Sequence, residues 1–420
     1  MRLNIITVGS RGDVQPYLAL ANGLQKAGYK VRLATHAIFE PFIREYDLEF
    51  FPIEGNPREI LDSEQGKAWL ESHKNPVVFF AGMMSLLRKS FRMMTGDILK
   101  ACEDGDAILY SPLAMAAYDI AEKFKLPSMM LTLQPMIPTR AFPSPAVPGL
   151  SFGRLNKISH RLARQLLWQG FRKPTNQFRK GTLDLPRAPF WGPFEKMSRN
   201  SHPVLAAFSP SVLPRPSDWQ SNAYVTGYWF LERPPGWQPS ADLVRFLESG
   251  PPPIYVGFGS MTDRNPAVLK QILLDAIRRS GQRAVLHSGW SGFDGSGIPD
   301  HVFAIDSVPH DWLFPQMRAV VHHCGAGTTA ATLRSGVPGI CVPFFGDQHF
   351  WASLVHSIGA SPAAIARKHL TADGLAAAIQ TSLDDSGIRK RAQELGKTIR
   401  QEDGIARATE IISRLVGPPV

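Results

Sequence analysis

Long hydrophobic runs are missing from this sequence of 420 residues. The longest nearly unbroken apolar stretch, Val77 to Leu87, falls well short of the ~20 residues a membrane-spanning helix needs, so no transmembrane segment is expected. No secretory signal is read at the start of the sequence either. Met1 to Ser10 reads as one short apolar strand running straight into Arg11, Gly12 and Asp13, which leads to the expectation of a cytoplasmic protein. Cysteine is scarce: Cys102, Cys324 and Cys341 are an odd number without CxxC spacing. Neither a disulfide framework nor a zinc site is expected, and Cys324 and Cys341 read as reduced, buried packing residues. Acidic residues are absent between Lys123 and Lys180, a segment that holds Arg140, Arg154, Lys157, Arg161, Arg164, Arg172, Lys173 and Arg179. Much of the formal charge of +10 therefore gathers in one place, where it suits an anionic membrane or an acidic small molecule. No helix-turn-helix, zinc finger or RNA-binding signature accompanies it, which removes nucleic acid from the expected partners.

What is present points to two α/β domains. Hydrophobic residues make up 44% and charged residues 20%, close to the globular average, and the length suits two cores of roughly 200 residues each. The chain opens with an apolar strand, Leu3 to Val8, then the loop GSRGD, a helix from about Val14 to Ala27 and a second strand, Val31 to Thr35. Strand, Gly-bearing loop, helix, strand is the order of a parallel α/β unit. The order starts afresh at Ile254 to Phe258, followed by a helix from Pro266 to Ser280 capped by Asn265 and by short apolar runs as far as Phe344. Residues 1–213 are thus expected as one domain and 254–420 as another, with the last helix packing back on the first. Residues 214–253, rich in Pro and Trp, are expected to be a linker without regular structure.

Two constellations carry chemistry. In the first, Val320 to Trp351, an apolar strand ends in His322 and His323, Gly325 and Gly327 allow a tight turn, and Thr328 and Thr329 open a helix. Free amides at a helix start, two hydroxyls and a preceding histidine suit a diphosphate. Gly325, Gly327 and Ala330 also fit the GxGxxA fingerprint of a nicotinamide-dependent oxidoreductase, the rival reading. Such a fingerprint normally follows the first strand of its domain, and this one follows several. Asp347 with Gln348, past a strand end, suits the hydroxyls of a sugar better than those of one ribose. The second constellation is GSRGDVQP, Gly9 to Pro16. Alone it reads as a polar turn with Asp13 capping the helix; opposite a diphosphate site, the carboxylate is placed for a general base. Ser260, in GFGS, reads equally as a hydrogen-bond donor to a phosphate or as a turn serine. Asp104 and Asp106 form a DxD string that reads as a turn rather than a metal site.

At these motifs the sequence resembles the sterol glucosyltransferase branch of the nucleotide-sugar glycosyltransferases. The similarity runs through the whole chain in order and is strongest over Gly9 to Pro16 and over Val308 to Trp351, where VPHDWLFPQ, HHCGAGTT, GVP and PFFGDQ stand together. It implies the GT-B fold: two facing Rossmann-like domains with parallel sheets and a cleft between them. It further implies inversion at the anomeric carbon with neither metal nor cofactor, a UDP-sugar serving as co-substrate. Carried over by position, Asp13 matches the general base, Gly12 beside it counts among the donor contacts, and His323 with Thr328 match the diphosphate contacts. Asp347 and Gln348 match the pair holding the donor sugar, and Ser307 and Val308 border the uracil ring. Plant relatives place a Trp at the position of Ser307 and a ribose-binding Glu near Ala331, and both are absent here. The expected function is transfer of a sugar, glucose first, to a hydroxyl of a sterol, terpenoid or polyketide. A catalytically silent nucleotide-binding protein of this fold is the third reading, which retention of Asp13 and Asp347 disfavours. The Met- and Phe-rich stretch Val77 to Met94, and Leu155, Ile158, Leu162 and Leu166 recurring at helical spacing among basic residues, read equally as core or as surfaces for a lipophilic acceptor and the inner face of an anionic membrane.

Overall fold

In the computed structural model, described for all residues except 57–58, 60–62, 65, 67–75, 147–150, 235, 260, 262–264, 290–296 and 420, the chain divides into two compact units. The first comprises Met1–Phe208, Arg215–Leu231 and Asp403–Val420, the second Ser209–Pro214 and Glu232–Glu402.

The first unit is built on a seven-stranded parallel sheet in the order β3-β2-β1-β4-β5-β6-β7. Its strands are β1 (Arg2–Ile6), β2 (Lys30–His36), β3 (Glu49–Ile53), β4 (Ala107–Tyr110), β5 (Ser128–Thr132), β6 (Val204–Ala206) and β7 (Ala223–Val225). Leu3 lies level with Val31 of β2 on one side and Ala107 of β4 on the other. The central strands are mostly apolar because helices cover both faces, and Leu3, Ile5 and Ile6 are fully buried. The helix Pro76–Cys102 packs its Phe91, Met94 and Ile98 into this core. At these positions the Met-rich stretch is ordinary core; the side chains of Phe79 and Phe80 lie outside the described residues. The last helix, Gly404–Val416, belongs to this unit: Tyr29 donates to the Gly417 carbonyl at 2.6 Å, and Gly23 faces Ile405 so closely that a Cβ would collide.

The second unit holds a five-stranded parallel sheet in the order β10-β9-β8-β11-β12. Its strands are β8 (Ile254–Gly257), β9 (Ala284–His287), β10 (Val302–Ile305), β11 (Val320–His322) and β12 (Gly339–Cys341). In each sheet, neighbours that are not consecutive in the chain mark the point where the winding reverses: β1 beside β4, and β8 beside β11. Loops leaving the carboxyl ends of those strands diverge there and open a crevice for ligands.

The stretch 214–253 is not the structureless linker expected. It contains β7 and the helix Ala241–Glu248, whose N-cap Ser240 accepts from the Leu243 amide at 3.3 Å. Pro239 and Pro251 flank that helix instead of interrupting it, so the prolines punctuate elements. Two of the three tryptophans in this stretch are core residues: Trp219 and Trp229 are buried, and Trp229 donates its indole N–H to Thr226 at 3.0 Å.

Candidate active site

In the first unit, Asp13 stands where the sheet reverses. β1 ends at Ile6, and the chain turns through Gly9 and Ser10 into the helix Arg11–Lys26, which places Asp13 in its first turn. Asp13 Oδ2 accepts from the Ser10 amide at 2.9 Å and from its hydroxyl at 3.0 Å. The carboxylate thus does cap the helix, through one oxygen. A helix start by itself would keep an aspartate acidic and weakly basic. Burial pushes the Asp13 carboxyl above the ordinary range, outweighing the two bonds from Ser10 that pull it down. Charge lost to desolvation raises basicity, which is what a proton acceptor needs.

Gly9, overlooked in the sequence, is what makes room. Its φ is +132°, outside the reach of ordinary side chains, and a Cβ there would lie 2.5 Å from Asp13 Oδ2. Gly12, expected beside the base, is exposed, with no neighbour close enough to demand glycine. The signal that could have found Gly9 is its place at the end of the first strand, just before a capped helix.

In the second unit, β11 lies between β8 and β12, with His322 level with Gly257 and with Cys341. The next residues turn into the helix Ala326–Ser335, whose N-cap, Gly325, offers no side chain to cap the first amides. His323 is buried, and desolvation with the nearby His287 lowers its imidazole to about 4, so the ring is neutral at physiological pH. Gly325 lets that ring approach: a Cβ would stand 2.5 Å from His323 Nε2. Space over Gly327 is open. Thr328 is half-buried, whereas Thr329 is turned into the core, 1% exposed, which separates the two hydroxyls expected together. His322 is fully buried and accepts the Cys324 amide on Nδ1 at 3.2 Å, so its proton sits on Nε2 and it serves the turn.

Past β12, Asp347 is half-buried and accepts the Trp351 indole N–H at 3.1 Å, a partner the sequence did not reveal. Gln348 is buried. Its amide oxygen accepts from Phe344 and Phe345, and its Nε2 meets the Met261 sulfur at 3.2 Å, so the carboxamide chiefly shapes the loop carrying Asp347. Ser307 is exposed after β10, and Val308 packs, partly buried, against the core cluster that includes Leu313 and Phe314. Ser260 lies outside the described residues.

Cys324 and Cys341, expected as free thiols, are joined in a disulfide with their Cα atoms 5.7 Å apart. Parallel pairing brings the ends of β11 and β12 together, and Cys324, at φ +63°, turns toward its partner. Their sulfurs and His322 form a group of metal-ligand type within 4.8 Å, but bonding the sulfurs to each other removes both thiolates. Asp104 pairs with Arg2 and Arg32, and Asp106 accepts from the Arg2 amide, at the amino ends of β1 and β4, the edge remote from Asp13. They form the turn expected of them.

Comparison with known proteins fits this geometry. The glycosyltransferase family 28 N-terminal domain matches residues 3–143, and the erythromycin biosynthesis protein CIII-like C-terminal domain matches residues 271–416. A sterol 3-beta-glucosyltransferase of Arabidopsis thaliana is 35% identical over 430 residues, covering 100% of this chain and 68% of that protein. The chain belongs to the sterol glucosyltransferase family. A second member, from Emericella nidulans, is 36% identical over 99% of the chain, which spans only 30% of the fungal protein's length. Among solved structures, the glycotransferase of kitacinnamycin superposes with a TM-score of 0.72 at 20% identity, over 99% of this chain and 98% of that one, which shows the GT-B fold. Family membership sets aside the oxidoreductase reading. The GxGxxA string begins after β11, not after β8, the first strand of its sheet.

Proposed function

We propose that this protein is an inverting glycosyltransferase that moves a sugar, glucose first, from a UDP-sugar to a hydroxyl of a lipophilic alcohol such as a sterol, terpenoid or polyketide. The observation that carries the reading is the occupancy of the two switch points. A carboxylate of raised basicity stands at one, and an uncapped helix start beside a neutral histidine stands at the other. As the acceptor oxygen attacks the anomeric carbon, Asp13 takes its proton. The nucleoside diphosphate leaves from the opposite side, and its growing negative charge falls on the amides at the start of Ala326–Ser335 and on His323 as a hydrogen-bond donor. Those donors do the work that a divalent cation does elsewhere, so the reaction needs neither metal nor cofactor. Asp347 binds hydroxyls of the donor sugar. Gln348 holds the loop and offers the sugar its remaining Nε2 proton, since a thioether takes up at most one of the two. Gly325 and Gly327 keep the diphosphate loop clear of side chains, Thr328 adds a hydroxyl, and Ser307 and Val308 border the base.

A lipophilic acceptor is met at a lipid surface, so peripheral contact with an anionic membrane forms part of the reading. Among the described residues no helix is long and apolar enough to cross a membrane. Calorimetry tests the donor assignment. UDP should bind, and Asp347→Ala should weaken UDP-glucose while leaving UDP itself nearly unchanged, because the carboxylate acts on the sugar. Binding of NAD with no affinity for UDP or dTDP would sink the proposal.

A further inference from the structure

The amphipathic helix of the acid-free segment does not hide its leucines. The helix Lys157–Gly181 buries Ser159, His160, Ala163, Trp168, Gly170, Pro174 and Phe178, a face of small and aromatic residues. Its other face carries Ile158, Leu162 and Leu166 at 39%, 46% and 47% exposure, continued before the helix by Leu155 at 62%. The Phe190–Trp191 turn is pinned alongside. Trp168 and Gln169 donate to the Phe190 carbonyl at 2.8 and 2.9 Å, the two rings meet edge to face at 5.0 Å, and Trp191 is 67% exposed. Six large apolar side chains thus lie in the open on one side of one unit, more than the scattered exposed hydrophobics of an ordinary surface.

Charge decides what covers them. Arg154 and Arg161 are exposed beside the stripe, Lys173 continues it two turns beyond Leu166, and the Arg172 guanidinium lies 4.7 Å from the Phe190 ring centre. No acidic residue occurs in the segment that forms the helix. A protein partner or a second copy would have to supply the missing negative charge at chosen points, whereas an anionic bilayer supplies it everywhere around an apolar interior. A tryptophan beside leucines with basic residues at the rim is the arrangement that settles at the level of lipid headgroups. We propose that Leu155, Ile158, Leu162 and Leu166, with Phe190 and Trp191, form a docking surface that seats the first unit on an anionic lipid bilayer. The surface deepens the lipophilic-acceptor reading and rests on it for its purpose, though its binding can be measured apart from catalysis.

Full-length protein is co-sedimented with vesicles of phosphatidylcholine alone and with added phosphatidylglycerol, across a salt series. Wild type should bind the anionic vesicles and release as salt rises, because exposed charges are screened over about 8 to 10 Å at physiological ionic strength. Leu162→Ser/Leu166→Ser and Trp191→Ser should each weaken vesicle binding by about tenfold or more at every salt concentration, through lost apolar insertion. Arg161→Glu should weaken it at low salt only. Val268→Ser, which removes an exposed apolar side chain of the second unit, should change nothing. All these side chains are exposed or rim the patch, and unchanged circular dichroism and UDP binding confirm folding. Equal vesicle binding by the patch variants overturns the proposal. So does a wild-type dimer in sedimentation analysis without lipid that the same variants convert to monomer. Turnover of a water-soluble alcohol keeps the two readings apart. Variants that lose vesicles yet keep such turnover support both. Loss of vesicle binding by the variants, in a protein whose wild type glycosylates no lipophilic alcohol, leaves the surface standing and removes the catalytic reading.

Discussion

On the proposed reading Asp13 is both helix cap and general base, and substitution separates the two roles. Asn keeps an acceptor for the Ser10 amide and hydroxyl but cannot take a proton. Asp13→Asn should therefore lower turnover by the ~10² to 10⁴ typical of a lost general base, with donor affinity nearly unchanged. Burial raises the folded pKa of Asp13 above its unfolded value, so the group favours the folded state at low pH and costs stability once it ionises. Melting temperature of the variant at pH 7 should equal or exceed that of wild type, and the difference should vanish in acid; a clear loss would mean that burial does not raise the carboxyl, and near-normal turnover that Asp13 serves only as a cap. The acid limb of the rate profile should lie above the ordinary carboxylate range for the same reason. Gly9→Ala is the companion test. A Cβ against the Asp13 carboxylate, added to a positive φ, should cost about 1 to 3 kcal/mol and lower turnover, read by denaturant unfolding and initial rates. Asp13 was legible because GSRGD follows an apolar strand. Gly9 was not, because the demand for it arises from a neighbour in space.

At the scale of elements, strand, loop and helix recurring twice was legible, and it placed both chemical loops at the carboxyl ends of strands. β6 and β7 escaped because no helix lies between them to mark an α/β unit, and their pairing is decided by the sheet edge they join. In 214–253 the prolines were read as breakers when they bound a helix. The helix Lys157–Gly181 was ambiguous for another reason: leucines at helical spacing suggest a buried face, but here residues as small as Ala163 and Gly170 allow the opposite face to pack closely, and a Cβ at Gly170 would collide with Met84. Spacing shows that a helix has two faces, not which one is covered. The paired cysteines were missed because β11 and β12 become neighbours only in the folded sheet. Thiol titration of protein unfolded without reductant should find Cys102 alone, and three thiols after reduction; three from the outset would contradict the bridge.

Across the whole molecule, burial holds several histidines neutral. His160, His202 and His323 are lowered to about 4 and His322 to about 3, each chiefly by desolvation. Unfolded histidine titrates near 6.5, so between there and pH 4 the unfolded state binds more protons and stability falls as pH falls. Asp13 and Asp119, both raised by burial, oppose this, Asp119 from about 6 downward, but two carboxyls face four imidazoles. Melting temperature should therefore drop from pH 7 toward pH 5, as a scanning series can show. Family membership and fold were legible from the motifs, and the chemistry they imply comes down to the fate of one bond. The most direct measurement is the anomeric configuration of the glycoside formed from UDP-α-glucose and a sterol after treatment with EDTA. The account predicts a β-linked product with turnover undiminished by chelation. An α-linked product, or activity lost to EDTA and restored by magnesium or manganese, would contradict it.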